Sequence, residues 1–108
     1  MLIIRCMVIL SVLYPKTNDS RFDHDYYLKT HTPLVKSTWT PTGLERVDIF
    51  RGVSSLDGAA PAYELIAHLA FTSKDHLNNS LAAGAAVIAD IPNFTNVQPV
   101  IQINLPIA

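Results

Sequence analysis

The chain has 108 residues, 49% hydrophobic and only 16% charged, with a formal net charge of -1. The length fits one domain over residues 1–108, the near-neutral balance without a basic block excludes a phosphate-tracking nucleic-acid binder, and the single cysteine, Cys6, excludes both a disulfide framework within the chain and a multi-cysteine metal site. A domain this small leaves much of its surface exposed on folding alone, so an apolar, charge-poor composition predicts a homodimer.

Met1 to Tyr14 is nearly all apolar. Arg5 lies inside the run and no small-x-small cleavage pattern follows, unlike a secretory signal. The run is also shorter than the roughly 20 residues that span a bilayer. Its β-branched Ile3, Ile4, Val8, Ile9 and Val12 predict a buried strand that holds Cys6 as an inert core thiol and ends at Tyr14-Pro15. With no leader and no membrane span, the chain reads as cytoplasmic, with neither membrane nor nucleic acid as a partner.

Phe22 to Trp39 reads as a helix. Asp23 suits the N-cap, Asp25 favours the positive end of the helix dipole, and Phe22 and Tyr27 have the spacing of a hydrophobic staple. Tyr27, His31, Leu34, Val35 and Thr38 form one stripe. Pro33 deprives the Lys29 carbonyl of its partner, which predicts a kink just after His31. Gly43–Val53 reads as a second strand with Val47, Ile49 and Val53 on one side, followed by a small-residue loop, Ser54–Pro61. Tyr63–Phe71 reads as a third strand, with Tyr63, Leu65, Ala67, Leu69 and Phe71 on one face and Glu64, Ile66, His68 and Ala70 on the other. Ser73 caps a helix over Lys74–Ala83, closed by Gly84, with Leu77 and Leu81 as its buried edge. Ala89–Asn96 reads as a loop. Val97–Leu105 reads as a strand whose start Pro99 confines to a sheet edge. The order β-α-β-β-α-β predicts an α+β, ferredoxin-like fold: one antiparallel four-stranded sheet with both helices on one face. Two such sheets facing each other would close a barrel across a dimer and cover the second apolar face.

Three stretches resemble the EthD family, named after ethyl tert-butyl ether degradation. Arg21-Phe22-Asp23-His24-Asp25-Tyr26-Tyr27 with His31-Thr32-Pro33-Leu34-Val35 is similar to that family's first helix. Pro61-Ala62-Tyr63 leading into Ile66-Ala67-His68-Leu69-Ala70-Phe71 resembles its third strand, and Ala89-Asp90-Ile91-Pro92-Asn93-Phe94-Thr95-Asn96 its loop before the last strand. The likeness runs from Met7 to Leu105, and Met1 to Arg5 lengthen the first strand beyond the usual family start. It implies a dimeric α+β barrel. The wider superfamily includes cofactor-free monooxygenases, isomerases, dehydratases and haem enzymes, and several EthD-family proteins accompany oxidation systems that degrade xenobiotics. Fold alone does not choose among these activities.

His31 is the sharpest candidate for chemistry, because an imidazole exchanges protons near neutral pH and this one shares a helix stripe with Tyr27. The resemblance implies a cavity between helices and sheet, with His31 on its wall. Tyr26, Tyr27 and Trp39 would bind an apolar or aromatic ligand there, with Tyr63 and Phe71 as the floor and Phe94 reaching in from its loop. Asp23 or Asp25 would orient the histidine. Glu64 and His68 share a strand face about 13 Å apart, which suits a structural role on the dimer side, and Asp90 and Asn93 suit a connector or interface role. His24, His31, His68 and His76 lack metal-ligand spacing, and the scattered glycines build no phosphate loop. One histidine would suffice for haem, but the reading is of no bound cofactor and no metal. The leading expectation is a cofactor-free enzyme that moves a proton on a small apolar or aromatic oxygenated compound. The alternative is a non-enzymatic binding or accessory protein for a monooxygenase system.

Overall fold

The structure, a computed structural model, describes residues Met7 to Ile107. Cys6 and the predicted strand extension Met1–Arg5 lie outside the described residues. In chain order the elements are β1 (Val8–Pro15), α1 (His24–Tyr26), a π-helical turn (Tyr27–His31), α2 (Thr32–Trp39), β2 (Leu44–Arg51), β3 (Tyr63–Phe71), α3 (Lys74–Ala82), α4 (Ala85–Asp90) and β4 (Val100–Asn104). The strands form one antiparallel four-stranded sheet in the order β2-β3-β1-β4, as the ferredoxin-like reading requires.

Alternation along β1 and β3 divides the sheet into two faces. Val8, Leu10, Tyr14, Leu65, Ala67, Leu69 and Phe71 are buried in the core, where they meet Tyr27, Val35 and Trp39 from the first helix, Leu77 from α3, Val87 from α4 and Phe94. Ile9, Ser11, Leu13, Ile66, His68 and Ala70 occupy the other face. On that face Ser11 Oγ lies 2.8 Å from His68 Nδ1 and accepts from Asn104 Nδ2 at 2.8 Å.

The first helix starts as its sequence directs. The Asp23 carboxylate accepts from the Tyr26 amide at 3.0 Å, and the Phe22 and Tyr27 rings are 5.5 Å apart. The turn ahead of Pro33 is π-helical rather than α-helical. It is widened there: the Thr32 amide donates to the Tyr27 carbonyl five residues back, and Thr32 Oγ1 donates to the same oxygen at 2.9 Å. The extra residue in this turn moves the buried stripe off its α-helical course, so it runs through Tyr27, His31, Thr32, Val35 and Trp39.

The second half departs further from the sequence reading. Gly84 does not close a helix in the left-handed conformation. It has φ -96° and starts α4, a helix not foreseen, while Ala83 caps α3. Gly84 is small for another reason: a Cβ there would stand 2.6 Å from Trp39 Cζ2. Leu81 is 41% exposed rather than buried. The expected loop Ala89–Asn96 is the end of α4 and a 3-10 turn over Ile91–Asn93. Val53 lies beyond β2 and is exposed, and β4 is shorter than expected, beginning past Pro99.

Residues 92–96 latch on to the chain before the first helix. The Asp23 amide donates to the Phe94 carbonyl at 2.8 Å, Thr95 Oγ1 to the Arg21 carbonyl at 2.7 Å, and the Arg21 amide to Asn96 Oδ1 at 2.7 Å. Two of the three motif stretches are thus one structural unit, joined by backbone groups that would otherwise lack partners.

Candidate active site

The latch carries Asp90 to the first helix. His31 is buried, and its Nδ1 lies 2.9 Å from Asp90 Oδ2. The other carboxylate oxygen of Asp90 accepts from the Tyr26 hydroxyl at 2.6 Å and from Asn93 Nδ2 at 2.9 Å. The rings of Tyr27 and Phe94 lie 5.1 and 4.5 Å from the imidazole.

These contacts fix the protonation pattern. Burial disfavours the imidazolium and pulls the His31 pKa below its ordinary 6.5, against the opposing attraction of Asp90. For Asp90, partial burial pushes upward, but the bonds from Tyr26, Asn93 and His31 prevail and hold the carboxyl below its ordinary 3.8. A carboxylate faces a neutral imidazole, so Nδ1 carries the proton and donates. Among the described residues Nε2 has no hydrogen-bond partner. It is therefore a lone-pair base of fixed tautomer, with an anion behind the ring to stabilise the imidazolium once it forms.

His31 stands on the wall of a cavity of about 50 Å³ between helices and sheet. The other walls are Leu10, Val12 and Tyr14 from β1, Tyr27, Thr32, Val35 and Trp39 from the first helix, Val47, Leu69 and Ile101 from the other strands, and Leu81, Val87, Ile88 and Ile91 beyond. Leu81, Ile88 and Ile101 are also exposed, which makes them the mouth. Thr32 Oγ1 is engaged by the Tyr27 carbonyl, and Trp39 Nε1 donates to the Ser80 carbonyl at 2.7 Å.

Of the residues expected to bind a ligand, Tyr27 and Trp39 line this cavity. Tyr26 and Phe94 do not: Tyr26 holds Asp90, and Phe94 packs behind His31. Tyr63 and Phe71 do not line it either. Tyr63 begins β3 opposite Pro15, and Phe71 is core beneath Trp39 at a ring distance of 5.9 Å. Neither Asp23 nor Asp25 touches His31. Asp23 is spent on its cap, and Asp90 is the orienting carboxylate. Asp90 lies in the stretch that resembles the EthD loop, but nothing local in sequence signals a pairing across 59 positions. Tyr14, read only as the end of a strand, also lines the cavity. Glu64 pairs with Lys16 Nζ at 3.2 Å and His24 Nε2 at 3.4 Å, away from His68. Among the described residues no group of three or more His, Cys, Asp and Glu side chains is placed to hold a metal ion.

The chain is 30% identical to an EthD-like protein of Ralstonia eutropha JMP134, whose crystal structure matches with a TM-score of 0.87 over 97% of this chain and 96% of that one. The chain belongs to the EthD-like family. A second EthD family protein, from Bacillus halodurans C-125, is 23% identical with a TM-score of 0.72, over 91% of this chain and 96% of that one. A dimeric ferredoxin-like protein from an uncultured marine organism matches at 12% identity and a TM-score of 0.51, over 94% of this chain and 95% of that one. No protein-family model and no curated protein matches the chain. Among the described residues no helix is long and apolar enough to cross a membrane.

Proposed function

We propose that this EthD-like protein is a cytoplasmic, cofactor-free enzyme that moves a proton on a small apolar oxygenated compound, with His31 as the base and Asp90 as the residue that orients it. The observation that carries this reading is the 2.9 Å contact between His31 Nδ1 and Asp90 Oδ2 on the wall of an apolar cavity. The contact leaves the second ring nitrogen as a neutral base and supplies an anion to stabilise it after protonation. Deuterium uptake from D2O into carbon-bound positions of small ketones, aldehydes and phenols, followed by NMR, tests it. Uptake catalysed by the wild type and abolished in His31→Ala is expected, whereas equal uptake by the variant overturns the assignment. Binding without uptake, retained in His31→Ala, would support the accessory role instead.

The same reading has one domain over residues 1–108 and two copies paired through the outer sheet face. No helix of the described chain covers that face, and Phe50 and Val100 are about half exposed on it, at 52% and 51%. Exposed apolar area on a sheet face favours burial against a partner. Light scattering should give a dimer at micromolar concentration, and a monomer would overturn the pairing.

A further inference from the structure

Three buried polar side chains on the cavity wall have atoms with nothing to bond. Tyr14, Tyr27 and His31 are 1%, 4% and 3% exposed. Neither phenol hydroxyl, and not His31 Nε2, has a hydrogen-bond partner among the described residues. Yet Thr72 Oγ1 is the one enclosed side-chain oxygen or nitrogen there that is both sealed from any space and unpartnered. The two hydroxyls and Nε2 are therefore not sealed, and the cavity is the space that all three residues line. An unsatisfied buried hydroxyl is destabilising, and two of them beside an unpartnered base, amid otherwise apolar walls, suit a ligand rather than a core.

We infer that the Tyr14 and Tyr27 hydroxyls form a two-donor hole for the carbonyl oxygen of a small neutral ketone or aldehyde whose α-carbon lies against His31. The inference rests on the proton-transfer reading above and deepens it by naming the substrate class. Burial raises both phenols well above their ordinary pKa, Tyr27 adding to the effect at Tyr14, so both remain donors at neutral pH. The step balances without a co-reactant. His31 Nε2 takes the α-proton, the C–H pair becomes the C=C bond, and the carbonyl π pair moves to oxygen, where the two O–H groups hold the enolate. Return of the proton from the imidazolium, to the same carbon or another position, completes exchange or isomerisation. The apolar walls exclude a charged substrate. The 50 Å³ volume admits roughly three to five water-sized groups, the size of a short-chain ketone.

The probe is 2-butanone, read by the infrared carbonyl stretch of the bound molecule and by deuterium uptake at its α-carbons. Two donors lower the stretch. The lowered stretch should survive in His31→Ala, weaken in Tyr14→Phe and in Tyr27→Phe, and vanish in the double variant, with Kd rising about fivefold for each hydroxyl removed. Neither hydroxyl bonds to the protein, so both variants should keep or raise Tm, which separates loss of the hole from loss of the fold. No binding of 2-butanone by the wild type, or a lowered stretch that persists in the double variant, overturns the inference. A Tyr-dependent stretch without deuterium uptake keeps the hole and removes the base. His31-dependent uptake that is insensitive to both Phe variants keeps the base and removes the hole.

Discussion

His31 and Asp90 meet at 2.9 Å across 59 positions of sequence, and the arrangement works in one direction. Asp90 accepts from Tyr26, Asn93 and His31 together, so its charge is stabilised and it does not compete for the imidazole proton.

Asp90→Asn should therefore harm both fold and activity. The amide can donate to Nδ1 and reverse the tautomer, leaving Nε2 protonated and unable to act as a base. Deuterium uptake should fall by roughly 100-fold or more. Hydrogen bonds to a charged group contribute about 1.5–3 kcal/mol each, so with bonds to the carboxylate weakened the urea midpoint should report a loss of about 2–3 kcal/mol. Wild-type uptake in this variant would contradict the orienting role.

Stability should decline in two stages as pH falls. The folded His31 pKa lies below 6.5, so just under pH 6.5 the unfolded chain binds a proton that the folded one refuses. The unfolded state then holds more protons, and stability drops with pH until the folded ring also titrates. Asp90 and Glu64 are held below their ordinary 3.8 and 4.5, in both cases because hydrogen bonds outweigh partial burial. Their stabilisation is present above those values and is lost as pH falls through the lower folded pKa values. Urea midpoints should be flat between about pH 7 and 9, fall once below 6.5 and again in the acid range. His31→Gln should remove the first fall alone. The pH dependence of uptake should follow the same ring, rising to a plateau with a midpoint below 6.5.

Thr32→Val tests the widened turn. The substitution keeps the shape and deletes the Oγ1 bond to the Tyr27 carbonyl, which retains its backbone donor. The loss should be about 1 kcal/mol, seen as a Tm lower by roughly 4–8 °C. The Thr32 amide should exchange faster with solvent, because the side chain no longer pins the turn. Unchanged protection would mean the backbone bond suffices.

Gly84→Ala should destabilise, although glycine replacements at compatible φ usually stabilise by about 0.4–1 kcal/mol. The new methyl would meet the Trp39 ring, which cannot yield while Nε1 donates to Ser80 and Phe71 packs below. Overpacking of this kind costs about 1–3 kcal/mol. Trp39→Phe in the same chain should reduce the penalty, measurable as a double-mutant cycle in urea. A stabilised Gly84→Ala would show that the helix layer gives way.

Local rules in the sequence determined most of the framework. The two faces of Tyr63–Phe71, the Asp23 cap, the Phe22–Tyr27 staple, the element order and the family resemblance all follow from alternation, capping and motif, which act over a few residues. They also placed His31 on an inward stripe. Tertiary structure decided what His31 can do. Asp90 reaches it because residues 94–96 are tied to Arg21 and Asp23 by one backbone bond and two from the Thr95 and Asn96 side chains, an arrangement no short-range pattern encodes. The π-helical turn and α4 were hidden because widening a turn or nucleating a short helix depends on the packing that stabilises it. Tyr14 became a cavity residue, and Tyr63 and Phe71 did not, because alternation fixes which face a strand residue joins but not which point on the opposing helix layer it meets.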